Sequence, residues 1–149
     1  MLHEYQRILV ATDGSEGAEL ALNKAVAIAE RNNAKLFILH VLDTRAIQAT
    51  SSSDIHFRDA LRDLGNRVMS DAKDLATGRG LTDVETILEM GSPKYVIAED
   101  IPKRENIDLI VMGARGMGAV ERFFMGSVSE NVIRHASCDV LVVRPKESE

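Results

Sequence analysis

Five short apolar runs, separated by segments of helical period, constrain this chain more than anything else in it. The runs are "RILVAT" (7–12), "KLFILHVL" (35–42), "DVETILEM" (83–90), "DLIVMG" (108–113) and "DVLVVRP" (139–145). The second is apolar almost without a break, the pattern of a strand covered on both faces. After the first run, Ala18, Ala21, Leu22, Ala25, Val26 and Ala29 recur at spacings of three and four, one face of a helix. Leu61, Leu64, Val68, Ala72 and Leu75 repeat that pattern before the third run, and "GRG" (78–80) stops it. The loop ahead of that helix, "DTRAIQATSSSD" (43–54), offers Asp54 or a nearby serine as N-cap, and its serine cluster is the segment expected to be flexible. Ser92 and Pro93 open a third helix, expected to kink or stop near Ile101 because Pro102 follows. "SVSENVIRHA" is a fourth helix. Alternation of this kind makes strands parallel and lays helices on both faces. The expected fold is therefore α/β, a single doubly wound domain over residues 1–149 with a five-stranded parallel sheet. No internal repeat or linker interrupts it.

Charge and composition exclude some functions. The formal net charge of −5 argues against a general binder of nucleic acid or anionic membrane, since both need a basic face. No apolar run reaches the length of a membrane span, and "MLHEYQRILVATDG" has no signal-peptide core. The single cysteine, Cys138, reads as a small packed residue, and the expected location is cytoplasmic. Four scattered histidines have no zinc-ligand spacing; His40, within the second run, reads as a satisfied core histidine.

The stretch "MGARGMGAVERFFMGSVSEN" (112–131) carries four of the ten glycines. It leaves the carboxyl end of the fourth strand, the edge at which doubly wound sheets bind ligands. Gly113, Gly116 and Gly126 leave backbone N–H groups unobstructed. A helix starting at Ser127 adds free N–H groups and the positive end of its dipole. Ser127 and Ser129 bring hydroxyl donors, and Arg115 lies in the loop. Together these suit a di- or triphosphate. No Gly-Lys-Ser/Thr triplet makes this a Walker loop, and "GMGAVE" places Glu121 where a dinucleotide fingerprint needs a small residue. A plainer reading stays open: the glycines form turns, and Ser127 with Glu130 makes an S-x-x-E capping box. Asp13, before Gly14, reads by itself as a turn former.

The spacing Gly113-x2-Gly116-x9-Gly126-Ser127, together with "VATDGS" near the N-terminus, resembles the ATP-binding branch of the universal stress protein family. The resemblance covers nearly the whole chain, from "ILVATDGSEGAELAL" and "LFILHVLD" to "MGSVSENVIRHASCDVLVVRP". It implies a sheet of order 3-2-1-4-5, with "TDG" and the glycine loop facing one crevice. By similarity Ala11, Thr12 and Asp13 line the nucleoside pocket, Val41 packs near adenine, and Met112 and Gly113 flank the nucleotide. Gly116, Gly126, Ser127, Val128 and Ser129 then hold phosphates, with Arg115 and Arg122 as candidate contacts. Phe123, Phe124 and Met125 depart from the aliphatic residues more usual in the family.

The resemblance implies an ATP-binding regulatory protein of the stress response, with Mg²⁺ held through the phosphates, little or no intrinsic hydrolysis and an unnamed protein partner. A slow ATPase or phosphoryl or adenylyl transferase is one alternative; a dimeric scaffold with a structural nucleotide is another. No Ser-His-Asp order or carboxylate pair marks a hydrolytic centre. The fifth run (139–145), at a sheet edge in the family's order, is expected to join a homodimer.

Overall fold

The computed structural model describes residues 4–45, 55–114 and 125–145. Five strands form one sheet in the order β3-β2-β1-β4-β5, with every neighbouring pair parallel. The strands are β1 (Arg7–Ala11), β2 (Lys35–Asp43), β3 (Val84–Gly91), β4 (Leu109–Gly113) and β5 (Asp139–Val143). The register aligns Val10 with Ile38 of β2 and with Val111 of β4. Each boundary lies within two residues of the corresponding apolar run. Helices α1 (Glu16–Asn32) and α2 (Ile55–Gly78) cover one face of the sheet. The other is covered by α3 (residues 93–104) and α4 (Ser127–His135).

Double coverage explains the unbroken apolar runs. Alternate residues of β1, β2 and β4 belong to two separate cores: Ile8, Val10, Leu36, Ile38 and Val111 pack under α1 and α2, while Leu9, Phe37, Leu39, Ile110 and Met112 pack under α3 and α4. A strand with one wet face would have needed polar residues at every second position. In α1 the periodic alanines, with Leu22 and Val26, are all buried, and Asn33 ends the helix in the left-handed conformation. Small side chains on that face let helix and sheet approach closely.

Two helices depart from the sequence expectation. In α2 the periodic Leu64 faces outward and is 49% exposed, whereas Gly65 is buried with Met69, Ala72 and Ala76. The seam of α2 is so close to the sheet that its contact position has no room for a Cβ, so the leucine lies beside the seam. The helix after β3, expected to kink or stop near Ile101, does not stop there but changes its winding in the turn before it. It runs as a first turn (Pro93–Tyr95), a π-helical segment (Val96–Asp100) and a last α-helical turn (Ile101–Arg104). Pro102 has no N–H to give the fourth carbonyl back, and its ring crowds that carbonyl. Widening the preceding turn relieves both: the Ile101 N–H reaches the Val96 carbonyl, five residues back. Ile101 and Pro102 are buried, and Ile101 packs in the second core, which holds the widened helix in place.

Candidate functional site

The sheet order reverses between β1 and β4: β2 and β3 lie to one side of β1, β4 and β5 to the other. Connections leaving the carboxyl ends of β1 and β4 therefore diverge, opening a crevice where ligands bind in such folds.

At β1 the chain turns sharply into α1. Thr12 extends the sheet by one bond, its N–H donating to the Leu39 carbonyl at 2.8 Å. Its hydroxyl oxygen accepts from the Gly14 N–H at 3.3 Å, and Asp13 Oδ1 accepts from the Ser15 N–H at 2.9 Å. Gly14 takes φ of 82°, a left-handed conformation that favours glycine. Ser15 then caps α1, its hydroxyl oxygen accepting from the Ala18 N–H at 3.2 Å. Asp13 thus does act as a turn former, and the same turn sets it at the carboxyl end of β1. Two residues before Asp13, Ala11 lies on the α3/α4 side of the sheet, as do Val41, Met112 and Val128. These four belong to three strands and a helix, and they make an apolar floor at this edge.

At β4 the chain leaves through Gly113 and Ala114 and returns at Gly126. The Ala114 N–H donates to the Val143 carbonyl at 3.1 Å, and the Gly126 N–H donates to the Ala114 carbonyl at 2.7 Å. The second bond closes the glycine loop on itself. Ser129 adds a third tie, donating its hydroxyl proton to the Gly113 carbonyl at 2.7 Å. Its one donor is spent there. Helix α4 starts directly over the end of β4. Its ladder begins with the Glu130 N–H on the Gly126 carbonyl at 3.0 Å, so the N–H groups of Ser127, Val128 and Ser129 precede it.

The capping box does not form. Gly126 is the N-cap residue and has no side chain to offer, Ser127 is already helical, and Glu130 pairs with Arg134 at 3.3 Å. A glycine cap leaves the helix N-terminus without the side-chain acceptor that serine, at the same position, would supply. Arg115, Gly116, Arg122, Phe123 and Phe124 lie outside the described residues; Met125 is half-buried.

Other charged groups near this edge are already partnered. Asp43, at the end of β2, accepts from Arg45 at 2.8 Å and 3.2 Å; these bonds hold its carboxyl below the usual carboxylate range. Among the described residues no group of three or more His, Cys, Asp or Glu side chains could hold a metal ion. Cys138 is half-buried against the second core, and burial pushes its thiol pKa up. Tyr5, at the amino end of the strands, donates to Asp139 at 2.9 Å and is pushed up to about 12 by that bond.

Two contacts have no direct signature in the sequence pattern. Gly113 abuts the first turn of α1, where a Cβ would stand 2.9 Å from the Gly17 carbonyl oxygen. Gly65 abuts His40, where a Cβ would stand 2.9 Å from ring carbon Cδ2. An isolated glycine inside a helical pattern was the available signal for the second.

A doubly wound α/β domain with a closed glycine loop at its switch point defines the class of protein. The chain belongs to the universal stress protein family, whose family model matches residues 4–144. It is 47% identical over 143 residues to a putative universal stress protein of Staphylococcus aureus strain USA300, covering 96% of this chain and 86% of that protein. Among solved structures it is similar to hypothetical protein MJ0577, with a TM-score of 0.85, 33% identity and coverage of 97% and 99% of the two chains. It is also similar to a universal stress protein crystallised in complex with cAMP, with a TM-score of 0.75, 30% identity and coverage of 95% and 99%.

Proposed function

We propose that this protein binds ATP in the crevice between β1 and β4 and acts as a nucleotide-dependent regulatory protein of the stress response. The observation that carries this reading is the closure of the glycine loop by the Gly126–Ala114 bond, which sets the leading N–H groups of α4 over the end of β4. Those groups and the helix dipole suit an anion. In this reading Gly126, Ser127, Val128 and the Ser129 N–H hold phosphates, joined by Arg115 and Gly116 from the loop. Ala11, Thr12, Asp13 and Val41 receive the nucleoside, between them and the flanking Met112 and Gly113. The cAMP complex of a relative 30% identical supports an adenine nucleotide. Mg²⁺ is held through the phosphates with water completing its shell, consistent with the lack of a carboxylate cluster among the described residues. The protein works as one nucleotide-binding domain in the cytoplasm, as a homodimer, and ordering of the loop by ATP presents a surface to a protein partner.

The test is titration of wild type and Gly126→Asp with ATP by calorimetry. Gly126 has φ of −68° and ψ of 159°, an extended conformation open to any residue. Aspartate is also a favoured N-cap. The variant should therefore keep its fold and its helix while placing a carboxylate where phosphate approaches. Abolished ATP binding with an unchanged circular dichroism spectrum is expected. Equal affinity in both proteins removes the phosphates from this loop.

A further inference from the structure

Thr12, one residue beyond β1, makes the last N–H bond to the sheet on this segment, and its carbonyl has left the ladder. A buried carbonyl at a strand end needs a donor from elsewhere. His40 of β2 supplies it: Nδ1 lies 2.8 Å from the Thr12 oxygen. A carbonyl only accepts, so the proton of this bond is on Nδ1. Thr12 is thereby fixed at three atoms: its N–H on Leu39, its hydroxyl oxygen under Gly14 and its carbonyl under His40. Asp13 follows directly.

Helix α2 seats this arrangement at two points. Gly65 lies against the imidazole, and Val68 lies over Gly14, with Cγ2 3.3 Å from where a Cβ on that glycine would be. Positions 65 and 68 are three apart and share a helical face. A Cβ at Gly65 would meet Cδ2 of His40 at 2.9 Å and Cδ1 of Leu88 at 3.0 Å. Glycine inside a helix is ordinarily destabilising relative to alanine. Here it admits the ring.

We propose that His40, held down by Gly65 of α2, is a positioning residue for the nucleoside end of the site, fixing the Thr12 carbonyl and through it the direction of Asp13. The inference rests on the nucleotide-binding reading above and adds that the seat of α2 and nucleoside affinity are linked. Linkage of binding free energies is reciprocal, so bound nucleoside tightens α2 on the sheet as much as α2 tightens the turn.

The experiment measures ATP and inorganic triphosphate binding in wild type, His40→Ala, His40→Asn, Gly65→Ala and the His40→Ala/Gly65→Ala double variant. Leu64→Ala, on the exposed side of α2, is the control. Amide spectra of residues 12–15 are recorded for each protein without nucleotide. His40→Ala should weaken ATP by about tenfold, the scale of one lost hydrogen bond, and leave triphosphate unchanged, because α4 holds the phosphates. The asparagine amide can donate from about the place of Nδ1 and should restore most of the loss. Gly65→Ala should weaken ATP from a position outside the crevice, and the double variant should be no worse than His40→Ala. Leu64→Ala should change nothing. Equal ATP affinity in wild type and His40→Ala, with the amides of 13–15 unmoved, overturns the positioning role while the site stands. Equal loss of ATP and triphosphate also overturns it, by making the effect one of general stability. A wild-type protein that binds neither ligand overturns the site itself, and this inference with it.

Discussion

A Cβ on Gly113 would stand 2.9 Å from the Gly17 carbonyl oxygen and 3.0 Å from its carbon, and both atoms belong to the backbone of α1. Backbone cannot step aside as a flexible side chain can. The composition of the loop suggests a glycine kept bare for a ligand, and the contact with α1 gives this residue a second reason to be bare. The reason is invisible in sequence because Gly17 and Gly113 are brought together only by the pairing of β1 with β4. Gly113→Ala should therefore cost about 2 kcal/mol, within the usual range for overpacking. That corresponds to a fall in Tm of roughly 4–8 °C. Thermal unfolding followed by circular dichroism checks it. An unchanged Tm accompanied by lost ATP affinity would make the ligand, not the helix, the reason for this glycine. Asp13 shows the converse case. Its turn-forming role is legible from Gly14 alone, and the 2.9 Å bond to Ser15 realises it, without deciding what else the carboxylate meets.

The elements differ in how plainly they are written. The strands are legible because burial on both faces makes them apolar throughout, and α1 because its alanines repeat at one phase. In α2 the apolar period points to Leu64, since hydrophobicity registers in the pattern and closeness of approach does not. The continuation of α3 past Ile101 depends on burial of Pro102, a tertiary fact that overrides its local reputation. Strand β5 lies at the sheet edge and pairs with β4 alone among the described strands. After Asp139, which Tyr5 bonds, its Val140, Leu141, Val142 and Val143 carry no charge, whereas the opposite edge, β3, carries Glu85 and Glu89 within the strand, paired with Lys35 and Arg104. Charged residues are a usual guard against edge pairing. A second copy should therefore join at β5 about a two-fold axis, an isologous contact. Light scattering at micromolar concentration should give the mass of a dimer, and Val142→Lys should shift it toward monomer. A wild-type protein that stays monomeric as concentration rises rejects this edge as an interface. The unfolding curve of Val142→Lys separates a lost interface from a damaged core, because Val142 also packs on the second core.

At the scale of the whole molecule, alternation specifies parallel strands and coverage on both faces, but not the strand order. Which side of β1 receives β4 is settled by packing between distant segments, so the order 3-2-1-4-5 is available only through the family resemblance. That order creates the crevice, and the contents of the crevice bear on turnover. Rapid phosphoryl transfer needs a positioned nucleophile, a metal clamp and charge stabilisation at the leaving group. The residues at this edge bind more readily than they react. Asp13 is built into the turn at β1, Asp43 is paired with Arg45, and Glu130 is exposed and paired with Arg134. The hydroxyl of Ser129 is spent on Gly113. On the proposed reading, backbone N–H groups at the start of α4 would hold ground state and transition state about equally, and uniform binding of that kind lowers a dissociation constant without speeding chemistry. ATP should therefore raise the Tm in step with its concentration over the dissociation constant, while single-turnover hydrolysis with excess protein and Mg²⁺ runs far below about 1 per second, the low end of ordinary enzymes. Gly126→Asp serves as the contamination control, since a trace ATPase survives the substitution and a genuine activity does not. A wild-type rate at or above that level, absent from the variant, would replace the regulatory reading with an enzyme and send the search for its nucleophile into residues 115–124.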